Sequence, residues 1–362
     1  MTNTINNRQL FFVVVLAVTT YTSISIPRTA AVSAGTGSWI PILVTALIFA
    51  VAATTIIRLN NLFPGKMLAD YTKLILGKVM AGVLGVFFML YFLGVGVFLS
   101  TQMVSLLQAE FYPQTPQWAM LLIGIPVYGA IAYKGITNVA RLVEIYGAVY
   151  LVIATAVHII MMTQGMSYSI LPLFDKAEAG RYIAAVKDTI IPFLGIELIT
   201  MIPFTRQNGK KAVKTAFWGI IMVGFFYIMV VYSCMAIVGF NNIQSYQYPL
   251  IEAIKIVEAP FVERFDMSYL TVGFLGLIGG VSLVYLAVVE YACRLMPGVK
   301  RWMVVVAAGA AQMVLSLFAL GLKDPERLAN AVIVPAGLVA SIVIPTVLFV
   351  TARVKRRASK KA

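Results

Sequence analysis

Glu197 follows Pro192, Phe193, Leu194 and Gly195 inside a long apolar run, and a second apolar run near the N-terminus is interrupted by the string Ile24 to Arg28, ISIPR. A carboxyl group in mid-membrane costs about 2.5 to 3.5 kcal/mol on insertion scales, so a functional role is its default reading. Three roles are open to Glu197: accepting a substrate ammonium, holding a proton, or bonding freed backbone so that a break in the helix is fixed. Hydroxyl and β-branched residues ahead of a proline, here Thr22 to Pro27, favour non-helical backbone. Pro192, three residues before Gly195, weakens the helical ladder in the same way. Backbone groups freed inside a membrane must be satisfied by protein, water or ligand. Each interruption is therefore a candidate ligand site, and amides at a helix start beyond Ser25 suit an anion such as an amino acid carboxylate. The candidate ligand-binding residues are Ser23, Ile24, Ser25 and Ile26 at the first interruption and Phe193, Leu194, Gly195 and Glu197 at the second. Tyr91, Gly280 and Ser282 are added from flanking spans, where an aromatic ring and small residues can complete a pocket.

The elements that must position these residues are membrane spans. Of the 362 residues, 60% are apolar and only 12% charged, with a mean hydropathy of +0.91, which excludes an ordinary soluble domain. With roughly 20 apolar residues needed per span, the uncharged runs divide into ten helices, expected near 9–35, 38–58, 80–108, 118–133, 138–163, 184–205, 215–240, 267–293, 302–321 and 328–352. The fold class expected is an all-α membrane protein of ten transmembrane helices in a single polytopic domain, 1–362, with a basic tail at 353–362 and no cleaved leader at the N-terminus.

Charge fixes the orientation. Loops on the side of the N-terminus hold most of the lysines and arginines and one acid, Asp70, whereas the opposite loops hold most of the acids. Cytoplasmic loops are the basic ones, so both termini are expected in the cytoplasm. Ten spans split into two sets of five, about 9–163 and 184–352, and an odd number per set makes the second set an inverted repeat of the first. The first and sixth spans are then equivalents, and they are the two that carry interruptions. Simple kinks are the competing reading, since Pro and Gly are common in membrane helices.

Other polar residues have plainer readings. Glu144 and Arg141, and Glu290 and Arg294, are spaced as intrahelical pairs. Arg28 either partners Glu197 or, by preference, reaches the outer interface. His158 reads as a packed or interfacial histidine. An amphipathic helix is expected at 63–78 along the inner surface, and a lid or partner-binding surface at 248–266. The net charge of +14 sits at span ends, so it reads as topology and no nucleic acid partner is expected. No phosphate loop, no Ser/His/Asp arrangement and no metal or haem pattern is found, so neither enzyme activity nor a cofactor is expected. Two cysteines inside apolar runs rule out a disulfide framework.

Over essentially its whole length the chain resembles the B subunits of bacterial spore nutrient-germinant receptors, a branch of the amino acid/polyamine/organocation transporter superfamily. The resemblance rests on ISIPR (24–28), YFLGV (91–95), Thr115 with Pro116, FLGIE (193–197) followed by Pro203 and a basic loop at 206–214, and Tyr248 with Pro249 followed by VERFD (262–266). It implies a leucine-transporter-type fold in the spore inner membrane, A and lipoprotein C subunits as partners, and a small nutrient, typically an amino acid, as ligand. Members often carry glycines where Ser23 and Ser25 stand here; two hydroxymethyl groups narrow that site and add hydrogen-bonding capacity. A proton-coupled amino acid permease is the runner-up function, and a scaffold or ion-release subunit with a degenerate pocket is the third.

Overall fold

In the computed structural model the fold is described for residues 5–22, 24–204, 209–246, 248–257, 265–322 and 325–361. Among these, seven helices are long and apolar enough to cross a membrane, and three shorter apolar stretches, Asn7–Thr20, Gln117–Tyr133 and Ile191–Met201, stand where the first, fourth and sixth spans are expected. The chain is an all-α, multi-pass membrane protein. Its first span is divided into α1 (Asn7–Thr22) and α2 (Ile26–Ala34), followed by α3 (Trp39–Leu62). Helix α4 (Leu68–Leu76) leads into α5 (Lys78–Glu110), α6 (Gln117–Tyr133) and α7 (Ile136–Gln164). After α8 (Ala179–Ala185) the sixth span is a series of short 3₁₀ turns. Then come α9 (Gly209–Val238), the short α10 (Phe240–Ile243) and α11 (Pro249–Ile256), α12 (Phe265–Leu295), α13 (Arg301–Leu320) and α14 (Pro325–Leu338). A π-helical turn at Val339–Val343 joins α14 to α15 (Ile344–Lys361).

Burial ranks the helices. Val13, Val14, Val15 and Val18 of α1 are all buried, as are their neighbours Leu10, Leu16 and Ala17; a helix apolar on every side belongs in the centre of the bundle. It is packed by α7, α9 and α12. Helix α13 fully buries only Val304, Gln312 and Ser316 and exposes Trp302, Val306, Val314 and Phe318 among others, as a lipid-facing span does.

Two expectations are corrected. The sixth span is no α-helix on either side of its break. Glu144 pairs with Arg8 and not with Arg141, because α1 packs on α7 and brings a residue distant in sequence into reach. The basic tail continues α15 as a helix to Lys361, with Lys355 Nζ donating to the Ile75 carbonyl at 2.6 Å. The pair Glu290–Arg294 is present at 2.6 Å, extended by Arg301 on Glu290 at 2.8 Å and by Asp70 on Arg294 at 3.3 Å. On the other face Lys255 of α11 bridges Glu110 at the end of α5 and Glu252 of its own helix, at 3.0 and 3.1 Å. That places α11 where the lid is expected; residues 258–264 lie outside the described residues.

Candidate functional site

The first break begins with hydroxyl groups turned back on their own helix. Thr19 Oγ1 donates to the Val15 carbonyl at 2.9 Å and Thr20 Oγ1 to that of Leu16 at 2.6 Å, a habit that loosens helices. Helix α1 ends at Thr22, Ser25 caps α2, and Pro27 stands in the first turn of α2, where a missing amide hydrogen costs nothing. Ser23 lies outside the described residues.

The second break is longer. A 3₁₀ turn, Ile191–Phe193, is followed by extended Leu194, then Gly195 at φ +114°, then a 3₁₀ stretch at Ile196–Met201. Such a conformation in mid-span needs its backbone satisfied by outside partners, and several supply it. Asn60 of α3 donates to the carbonyls of Ile199 (3.0 Å) and Ile202 (3.4 Å) while accepting from Tyr71 Oη at 2.7 Å. Within the stretch Thr200 Oγ1 donates to the Glu197 carbonyl at 2.6 Å, and its hydroxyl meets that of Tyr291 of α12 at 2.9 Å, a side-chain contact that ties the stretch to α12.

Glu197, fully buried, closes the break on itself. Its carboxyl oxygens accept from the Gly195 amide at 3.0 and 2.9 Å, and Oε1 accepts from Tyr91 Oη of α5 at 2.7 Å. The break is thereby latched to α5. Tyr227 of α9, which the sequence does not single out, joins the two breaks: its hydroxyl faces the Val18 carbonyl at 3.1 Å and the Pro192 carbonyl at 2.8 Å. A phenol in mid-span has to find such a partner. Tyr227→Phe is expected to cost about 1 kcal/mol, the scale of membrane hydrogen bonds, and to lower the thermal unfolding midpoint of the purified protein. An unchanged midpoint would show that the bridge carries no stability.

A cavity of about 720 Å³ lies against the first break. Thr20, Ile24, Ser25, Arg28 and Thr29 form one wall, Gln102 and Leu106 of α5 another, and Lys187, Asp188 and Pro192 of the sixth span a third; Tyr248, Leu277 and Asn330 complete it. Thus two cations and a carboxylate line a cavity whose remaining walls are hydroxyl-bearing, amide-bearing and apolar. Beside it lies a narrow pocket of about 30 Å³.

Of the expected site residues, Ile24 and Ser25 line the large cavity, and Ile26 is buried at the start of α2. Tyr91, Gly195 and Glu197 form the latch; Phe193 packs edge-on against Tyr227 at 5.3 Å. Leu194 lies against Gly337 of α14, where an added Cβ would fall 2.7 Å from its side chain. Gly280 lets α12 touch α1, since a Cβ there would lie 1.8 Å from Thr20 Oγ1. Ser282 is buried and donates to the Ile278 carbonyl of its own helix at 2.7 Å. Arg28 is exposed on the cavity wall, its Nε donating to the Gln244 carbonyl at 3.2 Å. His158 is packed, with Ser233 at 2.8 Å and Tyr269 at 3.2 Å. Gln102, Lys187, Asp188 and Asn330 escape the sequence reading, because each resembles an ordinary polar residue at or near a span end until the helices are assembled.

Comparison with known proteins places this geometry. A family model described as "Spore germination protein" matches residues 4–326. The chain is 24% identical over 253 residues to spore germination protein B2 of Bacillus subtilis (strain 168), covering 67% of each chain. It is 23% identical over 259 residues to spore germination protein A2 of the same organism, 69% of each, and 20% identical over 251 residues to its spore germination protein YndE, again 69% of each. Among solved structures, a Na+-coupled sialic acid symporter in a substrate-bound outward-open state aligns with a TM-score of 0.67 at 12% identity, over 94% of this chain and 80% of that one. Mhp1, a nucleobase-cation-symport-1 family transporter in a closed conformation with bromovinylhydantoin bound, gives 0.63 at 10% identity, over 97% and 93%. At such identities the likeness is one of fold, and the fold is the leucine-transporter type.

Proposed function

The chain belongs to the spore germination protein family, whose model covers residues 4–326, and on that premise we propose that it is the B subunit of a nutrient-germinant receptor. It binds an amino acid or similar small nutrient where the first span is unwound, and binding triggers germination. The observation that carries this reading is the cavity that reaches the unwound segment between α1 and α2, with Ile24 and Ser25 in its wall. The ligand carboxylate faces the start of α2 and Arg28; the ammonium faces Asp188. The latch of Tyr91, Gly195 and Glu197 sits behind, with Phe193 and Leu194, and holds the sixth span in the shape that leaves the cavity open; Gly280 and Ser282 seat α12 beside it. A ligand that prefers one arrangement of these two breaks shifts the population toward it, which is all that a receptor requires.

The protein lies in the spore inner membrane with both termini cytoplasmic, in complex with an A subunit and a lipoprotein C subunit, as the resemblance implies. Ser25→Leu is expected to weaken nutrient binding by roughly tenfold, the scale of a mismatched pocket, without loss of protein. An unchanged dose response would remove the first span from the site. The second reading, a proton-coupled amino acid permease, draws on the transporter fold of the solved neighbours. Radiolabelled amino acid offered to sealed proteoliposomes separates the two: saturable binding without accumulation is the receptor's result, and gradient-driven accumulation is the permease's.

A further inference from the structure

We infer that the narrow pocket beside the large cavity is the subsite for the ligand's side group, that it takes an aliphatic group, and that Gly273 sets its size. This rests on the reading of the large cavity as the nutrient site. The two spaces share Thr20, Ile24, Leu106 and Leu277 in their linings, which sets them side by side within the span of one small ligand. Their chemistries differ. Arg28, Lys187 and Asp188 border the large cavity alone, whereas the walls of the narrow pocket carry no charged side chain and are mostly aliphatic and aromatic.

The hydroxyl hydrogens there are already committed. Thr19 and Thr20 donate to their own helix, and the Tyr269 hydroxyl is bonded both to His158 at 3.2 Å and to Tyr150. A polar or charged side group entering this pocket would lose water and gain little in return, whereas an aliphatic one loses nothing by leaving water. The charged head of a zwitterion stays in the wide part and its apolar group points into the narrow one.

The space itself comes from glycine spacing on α12. At Gly280 an added Cβ would overlap Thr20; at Gly276 it would meet Leu16 Cδ2 at 3.2 Å; at Gly273 it would meet nothing within 4 Å. The gap between α12 and its neighbours therefore opens along Gly280, Gly276 and Gly273, and the pocket is the room left by the missing side chain at the last of these. Leu250 and Ile251 of α11, both buried, close the other side, so the outer helix contributes directly to the size limit.

The test is equilibrium binding of radiolabelled glycine, L-valine, L-phenylalanine and L-aspartate to the purified full-length chain in lipid nanodiscs. L-valine is expected to bind best. Gly273→Val should lower the ratio of valine to glycine affinity by roughly tenfold or more, the worth of one or two methylenes in an apolar pocket. Gly273→Ala, which stays foldable because alanine favours a helix, should move the ratio the same way by less, and Leu250→Ala should raise it. Tightest binding of L-aspartate or L-phenylalanine, or a ratio indifferent to all three substitutions, would overturn the subsite while leaving the nutrient cavity in place. A wild-type chain that binds none of the four overturns the nutrient reading and the subsite together.

Discussion

Replacement of Glu197 by alanine is expected to destabilise the purified protein by roughly 3 kcal/mol and to abolish the nutrient response of spores that carry it. The carboxyl group is fully buried, and the contacts given to it come from donors: the Gly195 amide on both oxygens and the Tyr91 hydroxyl on one. Removing the acceptor breaks both contacts in a medium without water, where losing a buried hydrogen-bond acceptor costs about 1 to 3 kcal/mol. Glu197→Gln separates charge from shape. Its carbonyl oxygen in the Oε1 position can still accept from both Tyr91 and the Gly195 amide, but its amide group in the Oε2 position sets donor against the Gly195 N–H, so a loss of roughly 2 kcal/mol is expected. If the charge matters to signalling, the response disappears as well. Germination with normal ligand sensitivity in Glu197→Gln would reject a signalling role for the charge, and an Ala variant as stable as wild type would reject the latch itself. Tyr91→Phe removes one donor along with its bond and is the milder control, expected near 1 kcal/mol.

The membrane architecture could be read from the chain because lipid enforces it: apolar runs long enough to span, basic loops on one side, and Pro or Gly at the two interruptions are all sequence properties. Even the divided first span follows from residues 22 to 27. What the sequence conceals is any feature made by packing at a distance. Glu144 offers Arg141 as a partner in sequence, but the packing of α1 on α7 delivers Arg8. The sixth span has helical composition, yet Leu194 is extended and Ile196–Met201 is 3₁₀, because Asn60, Tyr291 and Tyr227 supply partners that lie far away in sequence. The cavity wall is a further case. Gln102, Lys187, Asp188 and Asn330 come from three separate spans, and no local pattern marks them as neighbours. The reading of Glu197 as a group that fixes a break was available from its position next to Gly195; that Tyr91 would be its partner required the fold.

Gly195→Ala is the substitution expected to do most damage, roughly 3 to 5 kcal/mol, because two independent costs coincide at one Cα. Its φ of +114° lies where residues with a side chain are strained by about 1 to 3 kcal/mol. A Cβ would also stand 2.4 Å from the Ala17 carbonyl oxygen and 2.7 Å from its carbonyl carbon. Those are backbone atoms of α1, which cannot turn aside as a side chain would, so the spans must separate or the break must close, with overpacking typically costing a further 1 to 3 kcal/mol. Either movement pulls the Gly195 amide from Glu197. Little folded protein is expected on extraction, and spores carrying whatever folds should lose the nutrient response, as with Glu197→Ala. Gly273→Ala is the matched control, since its Cβ meets nothing within 4 Å and its effect on the unfolding midpoint should be slight. The contrast tests the central physical point, that the break of the sixth span seats its Gly195 Cα directly on the α1 backbone at Ala17, so that a solute seated at the end of α1 is felt at the sixth span. A Gly195→Ala protein with the wild-type midpoint and an intact dose response would mean that the sixth span relaxes freely against α1, and the coupling would then have to run elsewhere.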